Sequence, residues 1–314
     1  MIFRFALLFF LQFTAAPVFA ADKLNVVTTI PDLAWAAEQI GGNRVSVRSL
    51  LRGSENPHFV DAVPEFIRLV AEADVVCIVG LDLEVGYMPA VLSRSGNAKV
   101  QPGGKGYCEA GKTVTTLEKP HGPIDRSMGD VHPAGNPHFY LSPKALSEAA
   151  HEIAAALERA DPAHSAEYIA GLKLLEGKLK SLREKITARL QPVLEAQAKA
   201  GHKPLLIEYH REFTYFLEDY GLKSMGSIEE KPGVPPSAGR LGDVSKSAKT
   251  QGVRIALVAD YSPAKTIEKF ATLAGVKVVN VPTMVQPNGK YNSYEALQVH
   301  IADSIATSVK DPAP

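Results

Sequence analysis

Short apolar runs alternate with longer amphipathic segments along both halves of the chain. Strands buried on both faces consist of continuous apolar residues, so these runs predict strands of parallel sheets. The predicted strands are Leu24–Ile30, Val45–Leu51, Asp74–Gly80, a strand beginning with Ala98–Val100, Leu205–Glu208, Leu222–Ser227, Val253–Ala259 and Val276–Val281. The alternation of strand and helix favours βαβ units, with about four strands in each half of the chain.

The segments between these runs predict helices, several of which begin at a proline or end at a glycine. The predicted helices are Pro31–Ile40, Pro64–Ala73, Leu83–Leu92, Pro143–Glu158, Glu212–Asp219, Ser237–Thr250, Pro263–Leu273 and Ser293–Val309. Residues 101–137 are rich in glycine and proline and are predicted to be mostly loop. The predicted fold class is therefore α/β, with helices flanking two parallel-rich sheets.

A single long helix is predicted in the middle of the chain. From Asp161-Pro162 to about Gln197 the sequence is rich in helix formers and is interrupted only by Gly171, Gly177 and Pro192. A helix of this length is unusual inside a compact domain and suits a rigid connector between two lobes. We therefore predict an N-terminal α/β lobe at 21–160, a connecting helix at 161–199 and a C-terminal α/β lobe at 200–314.

The first twenty residues have the pattern of a cleavable signal peptide. Arg4 precedes the apolar run Phe5–Phe13, and Val18-Phe19-Ala20 supplies small residues for cleavage after Ala20. The apolar run is shorter than the roughly 20 residues of a membrane span. The sequence predicts an exported, soluble protein of the periplasm. No cysteine begins the predicted mature chain, so no lipid anchor is expected.

Charge and cysteine content narrow the classes of partner. Lysine plus arginine number 34 and aspartate plus glutamate number 34, which gives no support to nucleic-acid or anionic-membrane binding. The two cysteines, Cys77 and Cys108, would lie in an oxidising compartment, where a disulfide can form. Two separate buried thiols are the alternative, because Cys77 lies in an apolar strand.

The tetrapeptide Asn-Pro-His-Phe occurs twice, at Asn56–Phe59 and at Asn136–Phe139. Proline fixes its own φ and restricts the preceding residue, so each histidine follows a stiffened segment. Neutral imidazole is the commonest metal ligand among side chains. We therefore interpret His58 and His138 as two halves of one metal site.

Two further candidates, His210 and Asp260, follow predicted strands of the second half. Ligands of open parallel sheets bind outside the carboxyl ends of strands, and clefts between domains favour ligand sites. The simpler alternatives are a polar strand end for His210 and a helix cap or turn for Asp260. Glu208 is another candidate, although strand alternation can direct it away from His210. His121 and His132, in the glycine- and proline-rich loop, are interpreted as solvated, with transient collection of metal as the alternative. The remaining histidines are interpreted as surface residues on helices or turns: His151, His164, His202 and His300.

The residues of these motifs resemble those of the periplasmic solute-binding proteins of ABC transporters for zinc and manganese. The matching stretches are Asn56-Pro57-His58 followed by Pro64, Ala73-Asp74-Val75-Val76, Gly80-Leu81 with Glu84, Asn136-Pro137-His138-Phe139-Tyr140-Leu141-Ser142-Pro143, and His210 with Tyr215-Phe216 and Tyr220-Gly221-Leu222. The family's usual motif has Asp-Pro-His where this chain has Asn-Pro-His. The resemblance covers nearly the whole predicted mature chain.

The resemblance implies two α/β lobes joined by one long helix, with a metal in the cleft held by His58, His138 and His210. Many relatives supply a fourth ligand from a late aspartate, but the comparable segment here, from Val279 to Met284, contains none. The fourth position therefore stays open, with Asp260 as first choice, Glu208 as second and water as third.

Three imidazoles with at most one carboxylate favour zinc, because manganese prefers more oxygen ligands. The predicted function is capture of Zn²⁺ by a monomeric, non-enzymatic protein and its delivery to an ABC permease membrane subunit. A periplasmic metallochaperone is a further candidate partner. The alternatives are transport of Mn²⁺ or another divalent metal, a zinc-dependent hydrolase and a surface adhesin.

Overall fold

The computed structural model describes residues 23–310, except for 121, 123–127 and 130. The predicted signal peptide and His121 therefore lie outside the described residues. The first sheet is wholly parallel and has the strand order β2-β1-β3-β4. Its strands are β1 (Leu24–Thr28), β2 (Val45–Ser49), β3 (Val75–Ile78) and β4 (Tyr107–Glu109).

The second sheet is also parallel and repeats the same arrangement, in the order β6-β5-β7-β8. Its strands are β5 (Leu206–Glu208), β6 (Ser224–Ser227), β7 (Ile255–Ala259) and β8 (Lys277–Val281). Alternation along β7 places Leu257 in the large core shared with the first sheet and Val258 in a second, smaller core. The predicted class, two parallel sheets flanked by helices, is confirmed.

Helices surround both sheets. They are α1 (Pro31–Gly41), α2 (Pro64–Ala71), α3 (Met88–Ser95), α4 (Pro143–Ala160), α5 (Ser165–Lys199), α6 (Thr214–Asp219), α7 (Ala238–Gln251), α8 (Ala264–Ala274) and α9 (Tyr294–Lys310). None of these helices combines the length and the apolar character that a membrane crossing requires.

The prediction for the fourth strand of the first sheet was wrong. Ala98–Val100 forms a 3₁₀ turn, whose first backbone N–H groups are capped by Asn97, because the Asn97 Oδ1 accepts from the Lys99 N–H at 3.1 Å. The strand lies further along, at Tyr107–Glu109, inside the region predicted as loop. Three residues are too few to show a strand period in the sequence.

Cys77 and Cys108 form a disulfide between neighbouring strands. The two residues are paired directly across β3 and β4, their Cα atoms are 4.4 Å apart, and both are fully buried. Of the two alternatives drawn from the sequence, the structure therefore has the disulfide rather than two separate thiols.

The long central helix α5 has 35 residues and continues through Pro192. It packs against α1 and α4 on the side of the first sheet and against α9 on the side of the second. Gly171 permits the close approach to α1, because a Cβ at this position would lie 2.1 Å from the Ile40 carbonyl oxygen. The helix therefore has the place of the predicted connector, while the exact limits of the two lobes stay a prediction.

The two lobes are also joined by hydrogen bonds between distant parts of the chain. The Val285 N–H donates to the Asp32 Oδ2 at 3.1 Å, across 253 positions. The Tyr294 hydroxyl, at the start of α9, donates to the Tyr140 carbonyl at 2.8 Å across 154 positions. Both contacts are buried, so the lobes share one interior beside the connecting helix.

Candidate metal centre

Three histidines from different loops meet at the carboxyl ends of the two sheets. His58 lies in the loop after β2, His138 begins the 3₁₀ turn that precedes α4, and His210 follows β5 by two residues. Because each sheet is parallel, the loops that follow its strands all begin at the same edge of that sheet. The interlobe cleft predicted from the strand ends is therefore where the histidines converge.

The three imidazoles are close enough to share one ion. A ligand nitrogen from each of them lies within 4.8 Å of the other two. The ring centroid of His58 is 5.0 Å from that of His138 and 5.2 Å from that of His210, and the last two are 5.3 Å apart. Beside them lies a cavity of about 240 Å³ that His58 and His210 line together with Glu212 and Tyr261.

Both copies of the repeated tetrapeptide orient their histidine through the asparagine two residues before it. The Asn56 Oδ1 accepts from the His58 backbone N–H at 3.0 Å and lies 3.1 Å from the His58 Nδ1. The Asn136 Oδ1 has the same relation to His138, at 2.9 and 2.8 Å. Because a backbone N–H can only donate, the facing amide atom is the oxygen, and each ring must present Nδ1–H to it. The Nε2 lone pair of each ring is therefore directed toward the cluster.

Asn136 is held more firmly than Asn56. Its Nδ2 donates to the Glu118 Oε2 at 2.9 Å and to the Arg211 carbonyl at 2.7 Å. Glu118 is in turn paired with the Arg211 guanidinium. These contacts fix the amide orientation of Asn136 and connect the second motif to the residue that follows His210.

His210 is oriented by a carboxylate rather than an amide. Its Nδ1 lies 2.8 Å from the Glu229 Oε2, and the Glu229 side chain is only 8 % exposed. The same carboxylate oxygen accepts from the Gly233 N–H at 3.1 Å. A carboxylate behind a histidine is the usual partner of a metal-binding imidazole, because it fixes the tautomer and raises the basicity of the ligand nitrogen.

The surroundings keep two of the histidines neutral. Burial, followed by the neighbouring imidazoles, holds the pKa of His58 and of His138 well below the ordinary value of about 6.5. The His138 Nε2 is buried and has no hydrogen-bond partner. A buried nitrogen lone pair without a partner is costly, and a metal ion in the cluster would satisfy it. The donor set therefore fits a divalent metal that accepts imidazole.

Asp260, the first choice for a fourth ligand, lies outside this group. Its side chain is exposed, and its Oδ2 accepts from the Gln286 Nε2 at 3.2 Å. Glu208, the second choice, is fully buried and accepts from the Phe213 N–H at 3.0 Å, as expected if alternation along β5 turns it away from His210. Burial raises the pKa of Glu208 to about 7. Ligation by Asp260 stays a prediction.

The expectation that His132 is solvated was wrong. His132 is only 9 % exposed, and its Nε2 lies 3.2 Å from the His58 Nε2. Its ring centroid is 5.3 Å from that of His58 and 6.4 Å from that of His138. A loop rich in glycine and proline shows no period from which the burial of His132 could be inferred.

Two other acidic residues at the cavity also escaped the sequence analysis. Glu229, the partner of His210, follows β6 in a loop with no motif. Glu212 is buried, accepts from the Tyr261 hydroxyl at 3.0 Å, and has a pKa raised to about 7, chiefly by burial. The one available signal was position, since Glu212 and Tyr261 each follow a strand whose carboxyl end faces the cleft.

Comparison with known proteins assigns the chain to a family. The model of the family described as "Zinc-uptake complex component A periplasmic" matches residues 26–308. The chain belongs to this family. It is therefore a periplasmic solute-binding protein of a metal ABC transporter rather than an enzyme, and a membrane permease is its expected partner.

Individual relatives and solved structures agree with this family. The high-affinity zinc uptake system protein ZnuA of Bacillus subtilis is 25 % identical over 266 residues, which cover 84 % of this chain and 79 % of the relative. The metal ABC transporter substrate-binding lipoprotein ScbA of Streptococcus cristatus is 23 % identical over 290 residues, which cover 91 % and 89 %. The structure of FpvC from Pseudomonas aeruginosa in complex with Mn²⁺ has the same fold, with a TM-score of 0.73, 22 % identity, and coverage of 92 % and 99 %.

Proposed function

We propose that this chain binds Zn²⁺ through the Nε2 atoms of His58, His138 and His210 and presents it to its ABC permease. The observation that carries the proposal is the convergence of three imidazoles whose ligand atoms lie within 4.8 Å of one another. Each ring has a polar partner at Nδ1, so each is preset to offer its other nitrogen. Such preset imidazoles bind a metal without first losing much side-chain entropy.

Zinc is proposed over manganese on the chemistry of the donors. Imidazole nitrogen suits zinc, whereas manganese prefers carboxylate, carbonyl and water oxygens. The two acids considered as oxygen ligands, Asp260 and Glu208, have other hydrogen-bond partners. The name of the Bacillus relative refers to zinc and that of the FpvC structure to Mn²⁺, so competition between the two metals is a necessary test.

The remaining parts of the proposal concern the path of the protein and its partners. We propose export through a signal peptide cleaved after Ala20, followed by release as a monomer. The relative ScbA is named a lipoprotein, so the alternative is attachment to the membrane through lipid. Loading by a periplasmic metallochaperone is a further proposal. Fractionation of cells and sedimentation of the purified protein address the first two points.

The decisive experiment is a titration of the metal-free protein with zinc against a competing chelator. We expect one tight site per chain, and a loss of at least about tenfold in affinity for His58→Ala and for His138→Ala. His151→Ala is the matched control, because this histidine lies on α4 with its side chain 56 % exposed. Normal zinc binding by both cluster variants would refute the proposal. Displacement of zinc by equimolar manganese would refute only the choice of metal.

A further inference from the structure

The loop before the second tetrapeptide places His132 against the cluster at a fixed distance from His138. The Gly135 N–H donates to the His132 carbonyl at 3.1 Å, which closes a turn. The next residue, Asn136, is held by its N–H to the Leu117 carbonyl at 2.9 Å. Gly135 has φ of +115°, and a Cβ here would lie 2.8 Å from the Leu117 oxygen, so this turn requires glycine. His132 is therefore attached to the site through a short, constrained segment.

The distance between His132 and His58 is that of two ligands of one ion. Their Nε2 atoms are 3.2 Å apart. Two nitrogens bound to one tetrahedral zinc at about 2.0–2.1 Å lie roughly 3.3–3.4 Å from each other. In the metal-free protein the same distance suits one imidazole N–H donating to the other ring. The three ligand atoms that already lie within 4.8 Å of one another are those of His58, His138 and His210, so binding to a shared metal would draw the His132 ring closer to His138 and His210.

We propose that His132 is the fourth ligand, so that the ion is held by four imidazoles. This inference rests on the proposed function and adds a specificity-determining residue to it. His132 is the candidate that contacts a ligand nitrogen of the cluster, the His58 Nε2, whereas Asp260 is exposed and Glu208 accepts from the Phe213 N–H. A site with only nitrogen donors favours zinc over manganese more strongly than a site completed by a carboxylate.

Zinc-edge X-ray absorption of the loaded full-length protein tests this directly. We expect four imidazole nitrogens at about 2.0–2.1 Å in the wild type, and three imidazoles with one water oxygen in His132→Ala. His132→Cys should show one sulfur at about 2.3 Å, which only a residue in contact with the metal can produce. Zinc affinity should fall by at least about tenfold in His132→Ala, and the ratio of zinc affinity to manganese affinity should decrease. His151→Ala should leave all of these values unchanged.

Two outcomes would overturn this inference while leaving the proposed function intact. One is a wild-type spectrum with three imidazoles that is unchanged in His132→Ala. The other is zinc affinity in that variant within about twofold of the wild type, together with no sulfur signal in His132→Cys. Absence of zinc binding by the wild type would instead refute the proposed function. Thermal denaturation of each metal-free variant confirms that the comparison is made between folded proteins.

Discussion

The two asparagines of the repeated tetrapeptide should respond differently to the same substitution, with a loss of stability at Asn136 and almost none at Asn56. Asn→Asp replaces one amide NH₂ with an oxygen and leaves the oxygen that faces histidine in place. At Asn136 the lost NH₂ donates to the Glu118 carboxylate and to the Arg211 carbonyl. At Asn56, which is partly exposed, the described residues include no carboxylate or carbonyl partner for the amide nitrogen.

The magnitude for Asn136→Asp follows from these contacts. The hydrogen bond to a carboxylate is worth about 1.5–3 kcal/mol. The Arg211 carbonyl loses the shorter of its two hydrogen bonds and keeps that from the Thr214 hydroxyl at 3.4 Å, a loss of about 0.5–1.5 kcal/mol. The Glu118 side chain is 29 % exposed, so solvent screens part of the repulsion between the two carboxylates. We therefore expect a loss of about 3 kcal/mol in the free energy of unfolding. At roughly 2–4 °C per kcal/mol this lowers the melting temperature by about 6–12 °C.

Asn56→Asp should change the stability of the metal-free protein by less than about 0.5 kcal/mol. Its new carboxylate still accepts from both His58 donors and raises the basicity of the ring, so zinc affinity should rise several-fold. The assays are thermal denaturation followed by circular dichroism and zinc titration against a chelator. Equal melting temperatures for the two variants would show that the Asn136 amide contacts do not have the role assigned to them here.

Three other predictions concern the helix, the disulfide and the response to pH. Gly171→Ala should lower the melting temperature, because the new Cβ would force α5 away from a carbonyl of α1. Gly177→Ala should stabilise the helix by up to about 1 kcal/mol, because no atom lies within 4 Å of the new Cβ. A higher melting temperature for Gly171→Ala than for Gly177→Ala would contradict the packing described. Replacing both disulfide cysteines with alanine should lower the free energy of unfolding by about 3–4 kcal/mol, because the disulfide closes a loop across a separation of 31 residues. An unchanged midpoint of denaturant unfolding would contradict this. The pKa of His58 and of His138 lies well below the ordinary value of about 6.5 in the folded state, so protonation of these two ligands should weaken zinc binding only at pH values well below 6.5. A tenfold loss of zinc affinity between pH 7.5 and pH 6.5 in a chelator competition would contradict this.

The same depressed pKa values set the sign of the contribution that His58 and His138 make to metal-free stability. Below about pH 6.5 the unfolded chain binds protons that these folded histidines do not, so their contribution to stability decreases as pH falls. The buried acids Glu208 and Glu212, with pKa raised to about 7, contribute in the opposite direction. The histidine contribution is therefore measured as a difference: between pH 7.5 and pH 5.5, calorimetry should show a less favourable change in stability for the wild type than for the variant His58→Ala with His138→Ala.

The sequence predicted those parts of the fold that depend on local periodicity. The strand β7 lies in a sheet interior and is apolar throughout, and β1 has Val26 and Val27 fully buried at its centre, so both apolar runs predicted strands. The long helix α5 was predicted because helix formers persist over 35 residues. The strand Tyr107–Glu109 was missed, since its existence depends on pairing with β3 rather than on its own pattern.

The site was predictable where a motif repeats and, for His210, where a candidate ligand follows a predicted strand. His58 and His138 were found because the same four residues occur twice. Glu229 pairs with His210 across 19 positions, and His132 meets His58 across 74, so neither contact has a signature in the nearby sequence. Contacts of this kind depend on how the two lobes pack against each other, and a single sequence contains no local pattern that indicates this packing.

The contacts that the C-terminal part of the chain makes with the first lobe affect the stage of synthesis at which the protein can complete its folding. Asp32 receives its backbone donor from Val285, and the Tyr140 carbonyl receives its donor from Tyr294. During synthesis the N-terminal lobe would therefore lack the hydrogen-bond donors to the Asp32 carboxylate and the Tyr140 carbonyl until nearly three hundred residues have been made. Non-local closure of this kind slows folding. A nascent chain of this protein should remain open, and suited to crossing a membrane in an extended state, until its last helix arrives.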